Sequence, residues 1–184
     1  MRVFQRTAVR RSLSALAIIG LTLAGVAGSA RAATETATAT IKLADGSEAG
    51  TVTLIASTAG VLLKLNLKGL SPGLHAVRVY ETGKCEGNFE SAGGIYNPLG
   101  ARHGFLAEEG PMAGDLPNIY AGADGNVVAE ILSPFLTLST DADDGLFDAD
   151  GASIVVLEHA DDYETDPDGG AGARLGCGVI TLKK

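Results

Sequence analysis

Few residues in this 184-residue chain carry reactive side chains, and each can be weighed in turn. Cys85 and Cys177 are its two cysteines. In an oxidising compartment two thiols close a disulfide; as thiolates they hold a soft metal, although no Cys-x-x-Cys spacing favours that use. A bridge would close a loop of about 90 residues, contributing on the order of 4–5 kcal/mol by loss of chain entropy in the unfolded state. The three histidines are His75, His103 and His159. His75 is expected in the core and His159 in solvent. Tyr80 follows Arg78 by two residues, so the pair shares one face of a strand. A guanidinium beside a phenol lowers its pKa, and a phenolate can serve ferric haem as an axial ligand. A plain Tyr–Arg stack is the other reading. Asp141, Asp143, Asp144, Asp148 and Asp150 could take a divalent cation weakly. They lack the ligand order and closing glutamate of an EF-hand, and read as a solvated acidic connection.

The elements that position these groups begin after a leader. Arg2, Arg6, Arg10 and Arg11 precede an apolar run from about Leu13 to Val26, and Ala30-Arg31-Ala32 forms a small-x-small site. That pattern reads as a signal peptide over residues 1–32, cleaved before Ala33. Arg10-Arg11 followed by Ser12-Leu13-Ser14 fits a twin-arginine signal poorly, so the export route stays open between the general and twin-arginine pathways. The chain has 14 Lys+Arg and 22 Asp+Glu, and five arginines leave with the leader. The mature 152 residues then hold nine positive and 22 negative groups, a net charge of −13. Such a chain is a poor partner for nucleic acid or an anionic membrane. A periplasmic or secreted location follows.

Residues 33–184 read as one all-β domain. Strands are expected over residues 37–43, 51–57, 61–67 and 75–81, then from Ile119, at 127–132, 153–158 and 178–182. Val61, Leu63, Leu65 and Leu67 alternate with polar residues in the two-residue period of a half-buried strand. Asp45-Gly46 and Asp124-Gly125 mark hairpin turns. Residues 82–117, dense in Gly and Pro, form one long loop, a length that in a small domain usually serves function. Eight short strands, no convincing helix and 5% aromatics indicate an eight-stranded Greek-key β-barrel or sandwich.

Several segments then resemble, in order, the copper/zinc superoxide dismutases of bacterial type. Gly69-Leu70-Ser71-Pro72-Gly73-Leu74-His75 is similar to the segment opening that family's active-site strand. Ser91-Ala92-Gly93-Gly94, Asn97-Pro98, His103-Gly104 and Gly114-Asp115-Leu116 follow at its zinc-loop spacing. Val155-Val156, Glu158, Ala160-Asp161-Asp162 and the run from Gly172 to Ile180 complete a likeness over nearly all of residues 48–182. The resemblance implies a superoxide dismutase-like barrel with long loops, one disulfide and two metals.

The departures bear on function. The four positions that the resemblance assigns to copper ligands are Arg78, Tyr80, Ile95 and Leu157. Copper needs converging imidazoles; Ile and Leu have no lone pair, and a guanidinium stays charged. Copper is therefore not expected. The zinc positions read Ile95, His103, Met112 and Asp115, leaving His103 and Asp115 as a residual pair. Zinc would be weakly held, and otherwise that pair should bond to itself or to loop amides. Arg174 keeps the position that guides superoxide in the family, with an ion pair to nearby acids as its simpler role. Asp161, Asp162, Glu164, Asp166 and Asp168 would repel an anionic substrate. The expectation is an exported protein without dismutase activity and with no catalytic residue. It would bind or build in the envelope, metal- or haem-related, alone or as a homodimer, with an undefined small-molecule or protein partner. The alternative is an active dismutase with a non-standard metal site.

Overall fold

A computed structural model describes residues 35–141 and 145–183. The expected signal peptide, and Asp143 and Asp144 of the acidic run, lie outside the described residues. β1 (Thr36–Leu43), β2 (Glu48–Ser57) and β3 (Gly60–Leu67) form an antiparallel meander. Its alternation follows the residues: Val61, Leu63, Leu65 and Leu67 are buried while Lys64 and Asn66 are exposed. Gly60 closes the β2–β3 turn at φ 113°, and a Cβ there would meet the Ser133 carbonyl oxygen at 2.1 Å. Only glycine fits.

The remaining strands are β4 (Gly73–His75), β5 (Val77–Tyr80), β6 (Ile119–Ala121), β7 (Val127–Ser133), β8 (Ser153–Leu157), β9 (Arg174–Val179) and β10 (Thr181–Leu182). One curled antiparallel sheet runs β5-β8-β9-β1-β2-β3-β7, with β10 added to β1, and β4 pairs with β6 apart from it. Neighbours distant in sequence, such as β1 with β9 and β3 with β7, give the Greek-key connections expected. The sheet encloses Ile41, Val52, Leu54, Leu63, Val77, Val79, Ile154 and Val156.

β5 and β8 are buried on both faces. Val77 and Val79 enter the main core, whereas Ala76, Tyr80, Val155 and Leu157 turn outward into a second cluster with Phe89, Ala92, Ala171 and Cys177. The long loop makes that cover. Val79 N–H donates to Gly114 O at 3.0 Å and Tyr96 N–H to Val79 O at 2.9 Å, so the loop is laced to the edge of β5. Cys85 and Cys177 are bridged, with Cα atoms 5.7 Å apart, fastening the start of the loop to β9.

Three boundaries differ from expectation, the first being that of β2, expected from Thr51 but beginning at Glu48. The strand expected over 75–81 is split at Ala76, whose N–H donates to His159 O and whose carbonyl accepts from Leu157 N–H. The last strand expected from Gly178 begins at Arg174, because register with β8 carries it through the small residues Gly176 and Gly178.

Candidate functional site

Four buried charged groups meet where β5, the long loop and the segment after β8 converge. Arg78 is fully buried, and its Nη2 donates to Asp161 Oδ2 and to the Asp168 carbonyl, each at 2.7 Å. Asp161 Oδ1 lies 3.2 Å from His103 Nε2 and accepts the Tyr163 N–H at 2.7 Å. His103 Nδ1 is 2.8 Å from Asp115 Oδ1, and Asp115 Oδ2 accepts the N–H groups of Gly104 and Met112 at 2.9 and 3.0 Å. Asn118 holds Asp161 in place through both its backbone groups, at 2.8 and 2.9 Å.

The charges fix one another. Burial opposes a charged imidazole, but hydrogen bonds to Asp115 and Asp161 outweigh it and push His103 up to about 9. Burial likewise opposes the Asp161 carboxylate, yet bonds from His103 and Arg78 hold it down to about 2. At neutral pH the row alternates in sign: Asp115, His103, Asp161, Arg78. Gly169 packs directly on it, and a Cβ there would fall 1.9 Å from Asp161 Oδ1.

Tyr80, two residues from Arg78 on β5, has a different neighbour. The Arg174 guanidinium lies over its ring, 4.5 Å from the centroid, while Nη1 and Nη2 donate to Phe89 O at 2.6 Å and Gly93 O at 2.8 Å. The Tyr–Arg stack thus forms with Arg174 and not with Arg78, which the Asp161 carboxylate draws away. Arg174 makes no ion pair among the described residues, because backbone carbonyls take its donors before any acid can. Tyr80, Ile95, Met112 and Leu157 floor an open cleft of about 670 Å³. Glu81, Glu90 and Asp168 stand on its rim.

The other expected residues lie elsewhere. His75 is buried, with Nδ1 2.8 Å from Leu157 O and Nε2 2.8 Å from Ser71 O. His159 is exposed, 3.8 Å from the Glu158 carboxylate. Asp148 accepts the Gly151 N–H in a turn at 2.9 Å. Sequence reasoning missed Asp161, which it counted among surface acids. Besides its place in the resembling run Ala160-Asp161-Asp162, the local signal was Asp161 two residues before Tyr163, the spacing of an Asx turn.

A curled Greek-key sheet, a long loop pinned by a disulfide, and an arginine poised over a site on β5 define a superoxide dismutase-like protein. The copper/zinc superoxide dismutase (SODC) family profile matches residues 48–180, and the chain belongs to that family. It is 50% identical over 147 residues to a Superoxide dismutase [Cu-Zn] of Caulobacter vibrioides, covering 78% of this chain and 84% of that protein. It is 41% identical over 123 residues to the Superoxide dismutase-like protein YojM of Bacillus subtilis, covering 66% of this chain and 63% of that one. Among solved structures, a SOD-like protein from Bacillus subtilis superposes with a TM-score of 0.74 at 36% identity, over 77% of this chain and 96% of that one. Cu/Zn superoxide dismutase from Brucella abortus does so with 0.66 at 32%, over 80% and 100%.

The family implies copper and zinc, and the residues can be tested against both. At the positions that the resemblance assigns to copper, Arg78, Tyr80, Ile95 and Leu157 supply one phenol, two hydrocarbon chains and a fixed positive charge. That set does not fit. For zinc, ligand atoms of His103, Asp115 and Asp161 lie within 4.8 Å of one another. Both imidazole nitrogens face carboxylates, however, and the Arg78 Nη2 stands 2.7 Å from Asp161. A metal would have to displace a proton held up to about 9 and settle beside a guanidinium. The donors are near enough, but their charges are already balanced, so this set does not fit zinc either.

Proposed function

We propose that this chain is a non-enzymatic, exported member of its family, acting as a binding or structural protein in the periplasm or outside the cell. The observation that carries the reading is Arg78, a buried cation at a position the resemblance gives to a copper ligand, bonded to Asp161 and the Asp168 carbonyl. Ile95 and Leu157 add no donor. The Cys85–Cys177 bridge and the leader-like residues 1–32 support an oxidising location. A homodimer is compatible with this role, and the net charge disfavours nucleic acid as a partner.

A second reading is an active dismutase with a non-standard metal site. The proximity of His103, Asp115 and Asp161 favours it, as does the likeness to a relative named a superoxide dismutase. One experiment separates the two. Native protein is loaded with copper and zinc, measured for metal content, and assayed for superoxide dismutation. The first reading expects the no-enzyme baseline. Metal-dependent turnover that His103→Ala abolishes would establish the second.

A further inference from the structure

The cleft above Tyr80 has a chemistry of its own. Tyr80 is 3% exposed, yet it borders the cleft and its hydroxyl bonds to no other described residue. Its side chain is otherwise buried, and a hydroxyl left without a protein partner at the edge of a cavity is open to a ligand group. Ile95, Met112 and Leu157 around it form an apolar floor. Of the charged groups, Arg174 has both terminal nitrogens committed to the Phe89 and Gly93 carbonyls. Glu81, Glu90 and Asp168 make no ion pair among the described residues. The Glu81 and Asp168 carboxylates accept only the backbone N–H groups of Gly94 and Gly170 among the described residues, so three carboxylate charges stand against the one guanidinium charge of Arg174 and give the cleft a net negative field.

We infer that this cleft binds a small organic cation, an ammonium group on an aromatic or aliphatic body. The ammonium donates to the Tyr80 hydroxyl oxygen and faces the rim carboxylates, while its hydrocarbon part covers Ile95, Met112 and Leu157. The volume lies within the ordinary range for small-molecule sites, roughly 300–1,000 Å³. Arg174 holds the Tyr80 ring in place and leaves the hydroxyl to the ligand. An anionic ligand, whether superoxide or a haem bearing propionates, would meet the opposite field. The inference deepens the binding role proposed above and rests on it.

Calorimetric titration of the native protein at low salt tests it with three probes of one shape: 2-phenylethylamine, 2-phenylethanol and 3-phenylpropionate. The amine is expected to bind saturably, with the alcohol at least about tenfold weaker, roughly one charge-assisted hydrogen bond, and the carboxylate silent. Tyr80→Phe keeps the ring and should weaken the amine several-fold with an unchanged melting temperature; Glu90→Gln should weaken it too. Equal affinity for amine and alcohol, an amine affinity indifferent to Tyr80→Phe, or no saturable amine binding would overturn the inference. So would a haem complex whose absorption band is lost in Tyr80→Phe. Dismutation assayed on the same sample keeps the two proposals apart. Metal-dependent turnover would overturn the non-enzymatic reading, whereas a silent assay without amine binding would overturn only this one.

Discussion

Arg78 and Asp161 are both fully buried, which makes their bond a matter of necessity more than of strength. Two charges withdrawn from water gain little net stability from each other, but either one left alone is costly. Arg78→Met should therefore destabilise by about 3–5 kcal/mol in urea unfolding. The double variant Arg78→Met with Asp161→Asn should cost less than the two single changes together. Additive costs would show that the pair is not coupled. Gly169 offers a second probe of the same network. It sits at φ 58° with its missing side chain aimed at Asp161, and Gly169→Ala combines left-handed strain with a clash on the carboxylate. A loss of about 1–3 kcal/mol is expected from backbone strain alone. An unchanged unfolding midpoint would mean that the carboxylate can move aside.

At the scale of elements, the loop over residues 81–118 is held at two ends by different means. The disulfide ties Cys85 to β9, and the Asp115–His103 pair anchors the far end near β5. Cys177→Ser should lower stability by about 2–5 kcal/mol, read as a lower melting temperature, and unreduced native protein should yield no free thiol to alkylating reagent. Two reactive thiols would contradict the bridge. The strands themselves were largely legible because the period-two pattern of β3 and the Gly- and Pro-marked turns are local. β9 was read too short because Gly176 and Gly178 carry no pattern, and only pairing with β8 and β1 makes them strand. The site was legible as positions, through the order of resembling segments, but not as contacts. Whether Arg78 turned to Tyr80 or to an acid 83 residues away depended on how the loops fold back, and no local spacing encodes that.

For the molecule as a whole, the buried row of charges sets a pH window. His103, at about 9, lies above the ordinary imidazole value of 6.5, so its contribution is complete below pH ~6.5 and is lost as pH rises through 9. Asp161, at about 2, lies below its ordinary 3.8, so its contribution is present above pH ~4 and is lost as pH falls through 2. Stability should be flat from about pH 4 to 6.5 and fall on either side. Denaturant midpoints at pH 5.5, 7.5 and 9.5 check the alkaline limb, and His103→Gln should flatten it. A midpoint that rises above pH 7 would contradict the assignment. Because Arg78 and His103 supply the positive charge at this junction, a chelator should leave the melting temperature unchanged within about 1 °C.

The place of β9 in the sheet governs the order in which the protein can be completed. β1, near the start of the described chain, has β2 on one side, while its other edge is covered by β9 and β10, made after every other described strand. As the polypeptide emerges N-terminus first, from a ribosome or through a membrane pore, the β1-β2-β3 meander can assemble at once. One flank of β1 then stays open until residues 174–182 arrive. An open strand edge is a template for pairing with another chain. The same late segment brings Cys177, so the bond to Cys85 cannot form before that edge can be covered. A nascent chain stalled short of Arg174 would thus expose both an unpaired β1 edge and a lone thiol, the form most prone to join its neighbours.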